Sequence, residues 1–149
     1  MYRKILVPLE NSAADATILE HIQALARLTG AKLLLVHVAD GFAARNQEQL
    51  DLADSEEMLR DRAYLDERRV ALLRVGLDVS VQLACGDPAD AILALAEKER
   101  CDLIAMATHG HRLVKDMVLG SVANQVRHRT DIPLLFVRAS APTCSSKAP

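Results

Sequence analysis

The chain has 149 residues, half of them apolar, which suits one domain able to bury roughly two-thirds of the surface it exposes when unfolded. Its 18 basic and 20 acidic residues leave a formal charge of −2, so no cationic surplus marks a nucleic-acid or anionic-membrane partner, and no apolar run reaches the ~18 residues of a membrane span or follows a basic start like a secretory leader. With no Trp, two Tyr and two Phe the stacking platforms of single-strand binders are scarce, and three cysteines without paired spacing indicate neither a disulfide framework nor a zinc ribbon; the expectation is a cytoplasmic protein with reduced thiols.

Ile5-Leu6-Val7, closed by Pro8, reads as a short buried parallel strand. Asn11 and Ser12 are a capping-type pair, after which Ala14, Ile18, Ile22 and Leu25 recur at helical spacing until Gly30 stops the helix. Leu33 to Val38 forms the next apolar run, so the first unit is a right-handed β-α-β crossover. The polar stretch 39–53 is long for a connection and reads as a mobile flap around Gly41. Asp54 or Ser55 then caps a second helix with Met58, Leu65 and Leu72 inward, ending near Gly76, its many Arg, Asp and Glu residues forming a solvated face.

Val79 to Leu83 alternates apolar with polar, as a strand does with one face covered, and belongs at a sheet edge. Asp87 as N-cap and Pro88 at the first helical position begin a third helix with Ile92, Leu95 and Ala96 inward. Leu103 to Ala107 is uniformly apolar and therefore central. A last helix opens at Ser121 and runs through Val126 to Arg127-His128-Arg129, cations that suit the negative end of a helix dipole. Residues 132–137 form the fifth strand, and 140–149 read as a flexible tail after a single domain spanning 1–139. Strands alternating with helices predict a doubly wound five-stranded parallel sheet, order 3-2-1-4-5, with helices on both faces.

The chemistry concentrates after strand four, where Ala107-Thr108-His109-Gly110 is followed by nine residues and Gly120-Ser121 at the start of the last helix. A helix N-terminus offers unpaired N–H groups and partial positive charge, and glycine lets the backbone approach phosphate oxygens. Two glycines before a helix also suit an ordinary strand-loop-helix connection. In the proposed order, however, the loop lies at the crevice beyond strands one and four, where open α/β sheets bind ligands.

Gly110, nine residues, then Gly120-Ser121 resembles the nucleotide motif of the universal stress protein family. Further matches in order are Lys4 to Pro8 with the family's opening strand, Leu35 to Val38 with its second, Gly86-Asp87-Pro88-Ala89 with its third turn and 132–137 with its last strand. The resemblance implies an adenine nucleotide alpha hydrolase-like, Rossmann-like fold binding ATP, with Mg²⁺ as companion ion. It implies adenine and ribose near Pro8, Leu9, Glu10, Val38, Met106 and Ala107, and phosphates on Gly110, Gly120, Ser121 and Val122, with His109 beside them. Ala107 stands where the family's first motif glycine is expected and Glu10 where Asp is usual; Glu10 reaches one methylene further and still accepts ribose hydroxyls.

His109, His111 and Asp116 offer a conceivable metal set, although alternating histidines in a polar loop without a third spaced ligand read better as loop residues. Arg112 and Lys115 serve either phosphate charge or loop solubility, His37 reads as a strand-end residue near the site, and Asp15 has no evident partner. The expected function is a regulatory ATP-binding stress protein. The alternative is a nucleotide-free stress protein acting through protein contacts. An enzyme is not expected, since no Ser-His-Asp spacing, pyrophosphatase loop or receiver-type acidic cluster is present. The apolar strand five, with Leu134, Leu135, Phe136 and Val137 at a sheet edge, invites pairing with its copy in a homodimer, which the family resemblance also implies.

Overall fold

In the computed structural model, the described residues are 1–39, 56–109 and 120–139, with His109 described for its backbone alone. The elements run β1 (Lys4–Pro8), α1 (Ala14–Thr29), β2 (Lys32–Ala39), α2 (Glu56–Arg74), β3 (Val79–Cys85), α3 (Pro88–Lys98), β4 (Leu103–His109), α4 (Ser121–Arg129) and β5 (Leu134–Ala139). The strands form one sheet of order β3-β2-β1-β4-β5, parallel at every pairing, and β3 and β5 are its edges as the sequence predicts. The flap and the C-terminal tail lie outside the described residues.

The two faces of the sheet are written into its strands by alternation. Ile5, Val7, Leu33, Leu35, Leu103 and Ala105 pack with Ile18, Ile22, Leu65 and Leu72 from α1 and α2. Leu6, Leu34, Val36, Ile104 and Met106 point the other way, onto Ile92, Leu95, Ala123 and Val126 from α3 and α4. The chain moves outward from β1 through β2 to β3 with its helices on one face, then crosses back to β4 and β5 with its helices on the other. Both directions are right-handed crossovers.

Helix punctuation follows local chemistry at three of the ends. Asp87 accepts from Asp90 N–H at 3.0 Å with Pro88 in the first turn, and Gly30 closes α1 in the left-handed region at φ 72°, which glycine enters without steric cost. Arg127, His128 and Arg129 occupy the last turn of α4. Opposite the site, Asp102 accepts from the backbone N–H groups of Arg3 and Lys4 at 2.8 and 3.0 Å, tying the starts of β1 and β4 together.

Three local expectations are corrected. Of the Asn11-Ser12 pair only Ser12 caps α1, from the residue before the N-cap position Ala13: its Oγ accepts from Ala14 N–H at 3.3 Å and its carbonyl from Asp15 N–H at 3.1 Å. Asn11 instead turns the chain at φ 58°, and Asp15 reaches back to accept from Ser12 N–H at 3.3 Å, the reciprocal half of a capping box. The polar face of α2 is not wholly solvated, because Asp61 is buried. Strand five begins two residues late, since Ile132 N–H is taken by Thr130 Oγ1 at 3.1 Å and Pro133 has no N–H to give. The strand continues two residues further, with Arg138 and Ala139 paired to Thr108 and His109.

Cys101, between α3 and β4, is buried, and burial pushes its thiol up to about 11. At pH 8 about one molecule in a thousand then carries the reactive thiolate. In a Cys85→Ser, Cys144→Ser variant, Cys101 is expected to resist an aromatic disulfide reagent at pH 8 and to react in guanidinium. Stoichiometric labelling of the native protein within minutes would contradict the buried position.

Candidate functional site

Strand direction gathers the site. Every strand of a parallel sheet ends on the same side, and the chain leaves β1 toward β2 while β4 arrives on β1's other flank, so the connections diverge and open a crevice between them. A cleft of about 570 Å³ lies there, within the ~300–1,000 Å³ range of small-molecule sites. Pro8, Leu9 and Glu10 border it from the end of β1, His37, Val38 and Ala39 from β2, and Met106 and Ala107 from β4. Pro88 and Ile92 of α3, Glu57 of α2 and Gly120 to Ala123 of α4 complete the wall.

The α4 end is built for an anion. Gly120 precedes the helix at φ 69° and ψ 158°, a region essentially reserved for glycine. A Cβ added there would meet nothing within 4 Å, so the space above the residue is open. Gly120 has no side chain with which to cap, and the first-turn N–H groups, which no helix satisfies internally, face whatever fills the cleft. The strands and α2 contribute hydrogen-bond acceptors and apolar surface to the same cleft: the carboxylates of Glu10 and Glu57 and the side chains of Leu9, Val38 and Met106.

Of the residues the sequence nominates, Pro8, Leu9, Glu10, Val38, Met106, Ala107, Gly120, Ser121 and Val122 all line this one cleft. The Ala107 methyl borders it without closing it. Gly110, His111, Arg112, Lys115 and Asp116, as well as the side chain of His109, lie outside the described residues.

Two polar arrangements beside the cleft escape sequence reasoning. Asp15, only 2% exposed, turns its carboxylate back toward the β1–α1 loop. It accepts from the N–H groups of Glu10, Asn11 and Ser12 at 3.0, 2.8 and 3.3 Å and from Tyr64 Oη–H at 2.6 Å. Successive N–H groups converging on one carboxylate form an anion nest, and bonds to a charged acceptor are the stronger kind. Burial, then the hydrogen bond to Asp15 and its charge, hold the Tyr64 phenol far above its ordinary range, so it stays protonated and donates. His37 is the second case: its Nδ1–H donates to the Leu9 carbonyl at 2.8 Å, and Nε2 lies 3.3 Å from Asp61 Oδ2. Neither was signalled locally, for Tyr64 and Asp61 come from a helix far along the chain.

The sequence model described as the Universal stress protein family matches residues 1–138. The universal stress protein MJ0577 of Methanocaldococcus jannaschii is 28% identical, the match covering 93% of this chain and 96% of that protein. A universal stress protein of Thermus aquaticus is 32% identical across 93% of this chain and all of the relative. Among solved structures, MJ0577 superposes with a TM-score of 0.74 at 28% identity, covering 95% of this chain and 99% of that one. A universal stress protein in complex with cAMP has a TM-score of 0.69 at 22% identity, covering 93% and 98%. One from Archaeoglobus fulgidus in complex with dAMP has 0.68 at 20%, covering 91% and 97%; at these identities the likeness is one of fold.

Gly120→Ala tests the backbone geometry. The methyl has room, so the cost is that of the conformation alone, about 1–3 kcal/mol, read as a lower urea midpoint with unchanged slope. Unaltered stability would mean that α4 does not begin at this dihedral.

Proposed function

The chain belongs to the universal stress protein family, and on that premise we propose that its cleft binds ATP or a closely related adenine nucleotide as a regulatory ligand. The observation that carries the reading is the polarity of the cleft. Its α4 wall is a helix N-terminus without a side-chain cap behind Gly120, suited to phosphates, and its lining from β1, β2 and β4 includes Leu9, Val38 and Met106 with Glu10, suited to an apolar base with donor groups on its edges. Solved proteins of the same fold hold cAMP and dAMP, which agrees with an adenine moiety.

In this reading adenine and ribose contact Pro8, Leu9, Glu10, Val38, Met106 and Ala107, with Glu10 accepting from ribose hydroxyls. Phosphates rest on the N–H groups of Gly120, Ser121 and Val122, with Gly110 added from the sequence motif. Mg²⁺, as companion to the phosphates, supplies charge neutralisation there.

We further propose that the nucleotide is held rather than turned over. The imidazole of His37 borders the cleft, but its Nδ1–H donates to the Leu9 carbonyl and its Nε2 lies 3.3 Å from Asp61 Oδ2, so both ring nitrogens face protein groups rather than a water placed for attack in the cleft. Phosphate release from ATP is therefore expected to match the protein-free rate.

Saturating ATP with Mg²⁺, at about a hundred times its dissociation constant, should raise the melting temperature by about 5–10 °C. Gly120→Val, which puts a branched side chain into the open space at the helix N-terminus, should weaken binding at least tenfold by calorimetry while the far-UV spectrum is kept. A wild-type protein with no thermal shift overturns the nucleotide reading in favour of a family member that works through protein contacts.

A homodimer through β5 is proposed on separate grounds. Leu134 to Val137 stay half-buried on a strand that, among the described residues, is paired on one side only, and such an edge is satisfied by antiparallel addition of its own copy. Light scattering at micromolar concentration should give twice the 16.3 kDa chain mass. A single-chain mass contradicts the dimer.

A further inference from the structure

Asp61 and Tyr64 lie three residues apart on α2, hence on neighbouring turns of one helix face, and both reach the same short segment of the β1–α1 loop through one intermediary. Tyr64 donates to Asp15, whose carboxylate gathers the N–H groups of Glu10, Asn11 and Ser12. Asp61 faces His37, whose other nitrogen donates to the Leu9 carbonyl. The segment is thus held by its N–H groups on one side and by a carbonyl on the other. Leu9 N–H adds a bond to the Val36 carbonyl at 2.7 Å, which fixes the point where the chain leaves the sheet.

We propose that Asp61 and Tyr64 are positioning residues for the nucleoside end of the cleft, α2 clamping the Leu9–Ser12 loop through His37 and Asp15. The clamp is built from groups that do no other evident work. Asp15 and Asp61 are 2% and 6% exposed, and buried carboxylates are retained only where their bonds are made good. The Arg68 guanidinium lies 5.2 Å over the Tyr64 ring, covering it from the outer side. Because Leu9 and Glu10 line the cleft from the end of β1 while Gly120 and Ser121 line it from α4, loosening the clamp affects, in the adenine-nucleotide reading, the nucleoside half of the ligand. Conversely, a nucleotide that seats Leu9 and Glu10 stabilises the docking of α2, since coupling of two equilibria is reciprocal. This assignment rests on the adenine-nucleotide reading for its ligand, though not for its geometry.

Asp15→Asn puts a donor among three N–H donors and is at risk of misfolding, so Tyr64→Phe and Asp61→Asn are the working variants, measured as full-length protein. Each is expected to weaken ATP binding about 3–10-fold while affinity for inorganic tripolyphosphate, a probe of the α4 end alone, stays within twofold. In the same variants, amide exchange should quicken at least threefold at Glu10, Asn11 and Ser12 for Tyr64→Phe, and at Leu9 for Asp61→Asn, with Leu6 and Ile104 unchanged. A merely structural role predicts parallel losses for both ligands and a general rise in exchange; that result, or unchanged ATP affinity, overturns the proposal. If the wild-type protein binds no ATP the nucleotide reading fails by itself. The exchange rates then decide the clamp, which falls if the loop amides do not respond.

Discussion

β1 is hydrogen-bonded on one flank to β2 and on the other to β4, and nearly everything functional follows from that double pairing. A strand with parallel partners on both sides must be buried on both faces, so Ile5, Leu6 and Val7 are all inaccessible to solvent. The two crossovers that serve it leave in opposite directions, one under each face of the sheet. Among the described residues no connection therefore covers the ground immediately beyond Pro8, and the crevice that results is a consequence of chain topology before any residue in it is chosen.

What the chain places there divides by chemistry. At α4 the backbone itself supplies the polar groups: glycine at a dihedral closed to other residues, followed by N–H groups that the helix cannot use. At the ends of β1 and β2 the groups are side chains and loop backbone, and a loop needs holding. The protein meets that need with buried charge. Asp15 offsets its desolvation through four donors, one of them the Tyr64 hydroxyl, and Asp61 through the His37 ring. The rigid and the held ends of the cleft thus depend on different parts of the fold, α4 on one side and α2 on the other.

Much of this was legible in order along the chain because the signals were local. Asp87-Pro88 announces a helix start through contacts within three residues, Gly30 ends a helix through its own dihedral, and the uniformly apolar 103–107 can be nothing but an inner strand. The strand order followed from the same pattern, while the nomination of Pro8, Glu10, Met106 and Gly120-Ser121, which line the cleft, came from the resemblance to the family. Expectations shifted where a nearby side chain took a backbone N–H that the pattern does not assign to it. Of the pair Asn11 and Ser12 only Ser12 caps α1, because Asn11 turns the chain and gives its N–H to Asp15, and the start of β5 moved to Leu134 because Thr130 intercepts the N–H of Ile132.

Sequence by itself therefore determined the doubly wound sheet, the location of the cleft and the phosphate-suited character of Gly120-Ser121, since hydrophobic period, turn residues and glycine dihedrals are properties of short stretches. Tertiary structure alone decided what His37, Asp61 and Tyr64 do, and it added the Tyr64 bond to the local ones that Asp15 makes. Each is an ordinary polar residue in its own segment, a carboxylate in a first helical turn or a phenol on a charged helix. Asp15 and Tyr64 stand 49 positions apart, and only the packing of α1 and α2 on one face of the sheet brings them within bonding distance. Hydrogen bonds between buried side chains have no sequence period, so their partners are fixed by the fold and can be read nowhere else.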